Sequence, residues 1–199
     1  NIILNRFLEK DISKVENLIK NLRLIKLKKV NELKKIKLLI TECKKNGTLP
    51  FAGIARCAFI GTSIINALLY KKILNLDEYN NFFNSIITIS NKINEDYQNK
   101  IIFKKNKNIF INKYGHLRPS TYSISSLNYK EGFNNYFSGK KLLNKYKINK
   151  KFKLSKLKQS KIDNYFKKNK LNFNCDQFFN FLNLSITQRE KSKFEFTKY

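Results

Sequence analysis

The sequence predicts a mostly α-helical chain with an irregular loop region in its middle. Three stretches carry that reading. Apolar residues recur three or four positions apart through Leu8, Ile12, Val15, Ile19 and Leu22, then through Val30, Leu33, Ile36 and Ile40. The same spacing returns in Tyr79, Phe82, Phe83, Ile86, Ile89, Ile93 and Tyr97. It appears a last time in Phe178, Phe179, Leu182, Ile186 and Phe194. With 42% hydrophobic and 14% aromatic residues, the 199-residue chain has enough apolar surface for a core.

Taken in order, the first run, Leu8 to about Lys45, reads as a long helix or helical hairpin that breaks near Leu24–Lys29, where apolar and basic residues crowd together. Asn46-Gly47 predicts its stop, with Pro50 three residues beyond. The chain therefore divides into 1–48, the long helix or hairpin, and 49–199, a helical region containing the central loop. A helix from Pro50 or Phe51 to about Lys72 carries Ala52, Gly53, Ala55, Ala58, Gly61 and Ser63, small residues that allow another helix to approach closely. Arg56, Ser63, Asn66 and Tyr70 form a polar stripe on it that must face solvent, pair internally or line a cleft. A third helix is predicted to begin at an Asp77 N-cap and reach Tyr97. Residues 100–113 are too irregular to assign. Residues 113–133, KYGHLRPSTYSISSLNYKEGF, have the Ser, Thr, Asn and Gly content of a loop. Leu142–Leu157 is lysine-rich and reads as mobile or solvent-exposed, and a last helix is predicted over Cys175–Phe194.

A formal net charge of +27 would ordinarily point to a polyanion. The bias is toward lysine: Arg6, Arg23, Arg56, Arg118 and Arg189 are the five arginines among 41 basic residues. Nucleic-acid readers favour the arginine fork, and the accompanying wealth of Asn, Ile, Phe and Tyr fits an A/T-rich coding bias. Nucleic acid is therefore not the expected partner, and a basic helical module for RNA or another polyanion is the alternative reading. Cys43, Cys57 and Cys175 are too far apart for a CxxC pair, and a single histidine cannot complete a zinc site with them. They read as reduced thiols of a cytoplasmic protein. The apolar run GIARCAFIGTSIINALL contains Arg56 and Asn66 and falls short of the roughly 20 residues of a membrane span. It is expected to be a buried helix, with no membrane partner. A chain without methionine that starts at Asn1 and stops on FEFTKY reads as a fragment of a multidomain enzyme.

The central loop concentrates chemistry. His116 is the sole histidine and titrates near neutrality. Gly115 permits a tight path, and Arg118 offers a planar fork for phosphate or carboxylate. Pro119 stiffens the turn, while Thr121 and Tyr122 add hydroxyls. This set can bind an anion or a polar ligand, but it contains no nucleophile–base pair, carboxylate dyad or glycine-rich phosphate loop.

The string KYGHLRPSTYSI resembles a loop in the central region of phosphoenolpyruvate-utilising phosphotransferases, the group of phosphoenolpyruvate synthase, pyruvate phosphate dikinase and rifampicin phosphotransferase. It is most similar to a subgroup with the form GHLRPGTYDI followed by an Arg-Tyr pair. LPFAGIARCAFIGTSIINALL resembles that subgroup's helix with an Ala-Arg pair, and ITQREKSKFEFTK its later Arg-Glu helix. Together the three stretches span most of 49–198. Ser120, Ser123 and Asn128 depart from the Gly, Asp and Arg of the subgroup. The resemblance implies the helical acceptor-binding portion of such an enzyme, inactive alone. Its partners would be an ATP-grasp domain and a phosphohistidine domain of the same polypeptide, and its ligand a small-molecule acceptor. This portion would carry no cofactor of its own; ATP and Mg2+ serve the full-length enzyme. His116 is the implied catalytic residue, orienting or deprotonating the acceptor hydroxyl. Arg118, Arg56, Thr121 and Tyr122 are the implied substrate-binding residues, with Arg118 on developing phosphoryl charge. Arg189 and Glu190 read as a pair on the last helix.

Overall fold

The computed structural model describes residues 2–99, 106–119, 123, 125–137 and 152–198. The protein is mostly α, with no strand among the described residues. In order, the helices are α1 (Ile2–Leu27), α2 (Glu32–Glu42), α3 (Leu49–Tyr70), α4 (Leu76–Ser85), α5 (Ile89–Asp96), α6 (Lys107–Tyr114), α7 (Phe133–Phe137), α8 (Lys156–Lys168) and α9 (Cys175–Phe196). They fall into two compact units, one formed by Asn1–Ile86 and Ile148–Thr197, the other by Ile87–Lys147.

In the first unit, the expected break in the N-terminal run is present: α1 ends at Leu27 and Asn31 caps α2 by accepting from the Lys34 N–H at 2.8 Å. The expected stop at Asn46-Gly47 is not. Cys43–Thr48 forms a wide π-helical turn that joins α2 to α3 in one helical stretch. Both residues of the supposed stop are buried there. The Asn46 amide donates to Glu42 Oε1 at 2.6 Å, and the same oxygen accepts from Asn21 of α1 at 2.8 Å. Gly47 has no side chain, so Leu18 and Phe196 close in to 3.3 and 3.1 Å of where a Cβ would stand. Pro50 explains why the turn is wide. In an ordinary α turn its ring would collide with the carbonyl four residues back; here the Leu49 N–H reaches five back, to Lys44 O, and the turn opens.

α3 packs against both α1 and α9. The small residues are the reason: a Cβ on Gly61 would lie 2.7 Å from Leu182 Cδ1, so α9 comes as near as the α3 backbone allows. Leu8, Val15, Ile54, Cys57 and Phe181 fill one layer of this core. A larger layer joins Ile65, Leu68 and Leu74 to Phe82, Ile162, Phe166, Phe178 and Leu182. Among the described residues, one helical stretch, Glu32–Tyr70, is long and apolar enough to cross a membrane, and 39% of its most apolar window is buried. Its Ile54, Cys57, Ala58, Ile65 and Leu68 belong to this core.

The predicted Asp77–Tyr97 helix is two helices. Its start is capped by Asn75 rather than Asp77: Asn75 Oδ1 accepts from the Glu78 N–H, and the Glu78 carboxylate accepts from the Asn75 N–H, a reciprocal box that leaves Asp77 inside the first turn. At Ile86 the backbone becomes extended, and Thr88 caps α5. The lysine-rich stretch expected to be exposed divides as well. Its part 142–151 lies outside the described residues, whereas Phe152 and Leu154 pack on the core and Ser155 caps α8.

The second unit is smaller and built on rings. Phe110 sits fully buried with ring centres of Tyr114, Phe137, Tyr97 and Phe133 at 5.1, 5.2, 5.9 and 6.1 Å. These edge-on and tilted geometries suit the quadrupoles of aromatic rings. The Tyr97 hydroxyl donates to the Phe137 carbonyl.

Candidate functional site

The loop singled out in the sequence begins where α6 ends. Gly115 closes that helix through its N–H to Ile111 O at 2.7 Å, and a Cβ there would come within 2.4 Å of the same oxygen. The Leu117 N–H returns to Tyr114 O at 3.0 Å, so Gly115–Leu117 is a tight turn. Three bonds then tie it to the returning strand of the loop. Tyr129 N donates to Leu117 O at 2.8 Å, Lys130 N to Gly115 O at 3.1 Å, and Arg118 Nη1 to Ser126 O at 2.5 Å. Asn128 and Glu131 brace the far side by exchanging side-chain-to-N–H bonds of 2.8 and 3.2 Å. Arg118 is thus a clasp as well as a cation, its Nη1 engaged on the Ser126 carbonyl. His116 and Arg118, two residues apart on this turn, are each half-buried.

A group that the sequence did not reveal holds the base of the loop. Asp96 Oδ2, on α5, accepts from the Tyr114 hydroxyl and from Lys113 Nζ, each at 2.7 Å. Burial, reinforced by this carboxylate, pushes the Tyr114 phenol up to about 12. Hydrogen bonding to Asp96 raises Lys113, which stays cationic. No spacing rule links residue 96 to 113 and 114; they meet only in the folded second unit.

Of the remaining candidates, Thr121 and Tyr122 lie outside the described residues. Arg56 is exposed on α3 in the first unit, its Nε donating to Ala52 O at 3.3 Å. The stripe it heads, with Ser63, Asn66 and Tyr70, is exposed throughout. Arg189 of α9 lays its guanidinium 5.8 Å from the ring centre of Phe59, a cation–π contact between two of the three stretches that carry the resemblance.

The first unit also contains a cavity of about 730 Å³. Phe82, Phe152 and Phe179 form one wall, their ring centres 4.8–5.2 Å apart. Gln159, Asn180, Asn183, Asp176 and Lys153 supply the polar rim. His116, Arg118 and Arg56 are not among its lining residues. Its walls come from α4, α8, α9 and the segment before α8, and such a convergence leaves no linear motif. Cys175 borders it, but burial and the neighbouring Asp163 and Asp176 push its thiol up to about 12, so it stays protonated at neutral pH. Cys57 is raised as well, first by burial and then by Asp11. Among the described residues no group of three or more His, Cys, Asp or Glu side chains is placed to hold a metal ion.

Comparison of the chain with protein-family models, curated proteins and solved structures gives no match.

Proposed function

We propose that this chain is the helical acceptor-binding portion of a cytoplasmic, phosphoenolpyruvate synthase-like phosphotransferase. The observation that carries the reading is the string KYGHLRPSTYSI, flanked in order by the Ala-Arg helix and the Arg-Glu helix. Two geometric facts support it. The turn bearing His116 and Arg118 is held by three cross-loop bonds, the preorganisation that a positioned acid–base group and an anion-binding fork require. The two resembling helices, α3 and α9, are packed directly on each other. In this reading the chain positions the acceptor. His116 receives or orients the proton of its hydroxyl, and Arg118 faces the phosphoryl oxygens. ATP and Mg2+ belong to the ATP-grasp domain, and the phosphoryl group arrives on the carrier histidine of a separate domain.

The test is made in the full-length enzyme. His116→Gln and Arg118→Lys are each expected to lower phosphoryl transfer to acceptor by about 100-fold or more, with the carrier histidine still phosphorylated from ATP and the helical signal unchanged. Wild-type turnover in both variants would reject the assignment.

A further inference from the structure

We propose that the hairpin made by the C-terminal end of α1 and by α2 is a docking surface for an anionic lipid bilayer. This goes beyond the phosphotransferase reading and stands or falls without it.

The first observation is an amphipathic helix with no buried residue. α2 packs on α1 and on the wide turn through half-buried Leu38, Leu39 and Glu42. Its opposite face carries Leu33, Ile36 and Ile40, three and four residues apart, and these are 50–79% exposed. Leu24 and Leu27, at the end of α1, add two more large aliphatic side chains that are 58% and 80% exposed. Among the described residues nothing covers these five.

The second observation is charge. Residues 20–45 contain ten Lys or Arg and two acidic residues. On α2, Lys37 lies beside the exposed aliphatic stripe, next to Leu33, and Lys34 further round on the same side, so cation and hydrocarbon are neighbours on one surface. The complementary partner is negative and takes up apolar side chains. A bilayer of anionic lipid does both: aliphatic side chains enter the headgroup boundary while lysine stems reach back to phosphate level. Nucleic acid fits less well. Residues 20–45 contain no aromatic residue and one arginine, Arg23, which leaves nothing to stack on bases or to fork onto their edges. Five exposed leucines and isoleucines would gain nothing from a phosphate backbone.

The experiment is sedimentation of the whole chain with phosphatidylcholine vesicles, with and without phosphatidylserine, and in parallel binding to a single-stranded RNA. Expected is partition onto the phosphatidylserine vesicles, weakened by salt, and little onto neutral ones. Leu33→Ser/Ile36→Ser/Ile40→Ser is expected to reduce that partition by about tenfold or more, with helical content and melting temperature unchanged because these side chains are exposed. Exchange of the exposed Lys28, Lys29, Lys34 and Lys37 for Gln is expected to act comparably. Three results would overturn the proposal. One is equal partition with and without phosphatidylserine, and another is wild-type partition of the triple serine variant. The third is self-association or RNA binding that the triple variant abolishes while vesicle partition is absent.

Discussion

The two units solve the same problem with different materials. In the first, long helices bring residues from distant parts of the chain into mixed layers: Leu8 and Val15 meet Ile54, and Ile65, Leu68 and Leu182 share a layer with Phe82, Phe166, Phe178 and Phe179. In the second, α5, α6 and α7 have 8, 8 and 5 residues, too short to present a long aliphatic stripe. Rings do the work instead, because one buried ring removes as much apolar surface from water as two small aliphatic side chains. The first core spreads its contacts over many positions, aliphatic and aromatic, whereas the second gathers its rings around Phe110.

That contrast can be broken most sharply at Phe110. Phe110→Ala removes the ring that touches four others and is expected to cost about 3–5 kcal/mol, with hydrogen exchange accelerating first across α5–α7. Uniform acceleration across α1, α3 and α9 would contradict a concentrated core. A smaller effect belongs to the first unit. Gly61→Val pushes branched carbon into Leu182 and is expected to cost about 1–3 kcal/mol, read as a lower denaturant midpoint. An unchanged midpoint would mean that the α3–α9 approach is loose.

The smallest effect concerns the polar handle beneath the rings. A tyrosine whose folded pKa lies above its unfolded value near 10 keeps its proton longer when folded, so its contribution to stability is whole below pH 10 and disappears as pH rises toward about 12. Tyr114→Phe is expected to cost on the order of 1 kcal/mol at neutral pH, for the lost bond to Asp96, and to flatten the alkaline fall. Cys175, raised to about 12 in the first unit, adds to that fall from pH 9 upward, and Cys175→Ser measures its share.

The same contrast explains what could be read in advance. α1 and α9 were legible because 22 or more residues repeat the helical period many times, and α3 from its apolar, small-residue run after Pro50. The close approach of a helix to the small-residue face of α3 was legible too. α8 was not: in KLKQSKIDNYFKK only Ile162 and Phe166 are buried, a single i to i+4 step among lysines. The supposed stop at Asn46-Gly47 failed because the half-buried carboxylate of Glu42 takes up the Asn46 amide inside the helical stretch. At the candidate loop the turn was legible from Gly115 and Pro119, and the arginine was read only as a ligand group. Its bond to Ser126, like the Asp96 cluster and the cavity, depends on residues that meet only after folding.

The wide turn at Cys43–Thr48 has a mechanical meaning. It holds one residue more than an α turn needs, which is about 100° of azimuth, and so acts as a phase adjuster between the segments it joins. Upstream of it Leu33, Ile36 and Ile40 look outward; downstream Ile54, Ile65 and Leu68 look inward. Loss of a single residue there would set the Pro50 ring against the carbonyl four back and twist the segment upstream like a key in a lock, carrying the outer stripe away from its present bearing.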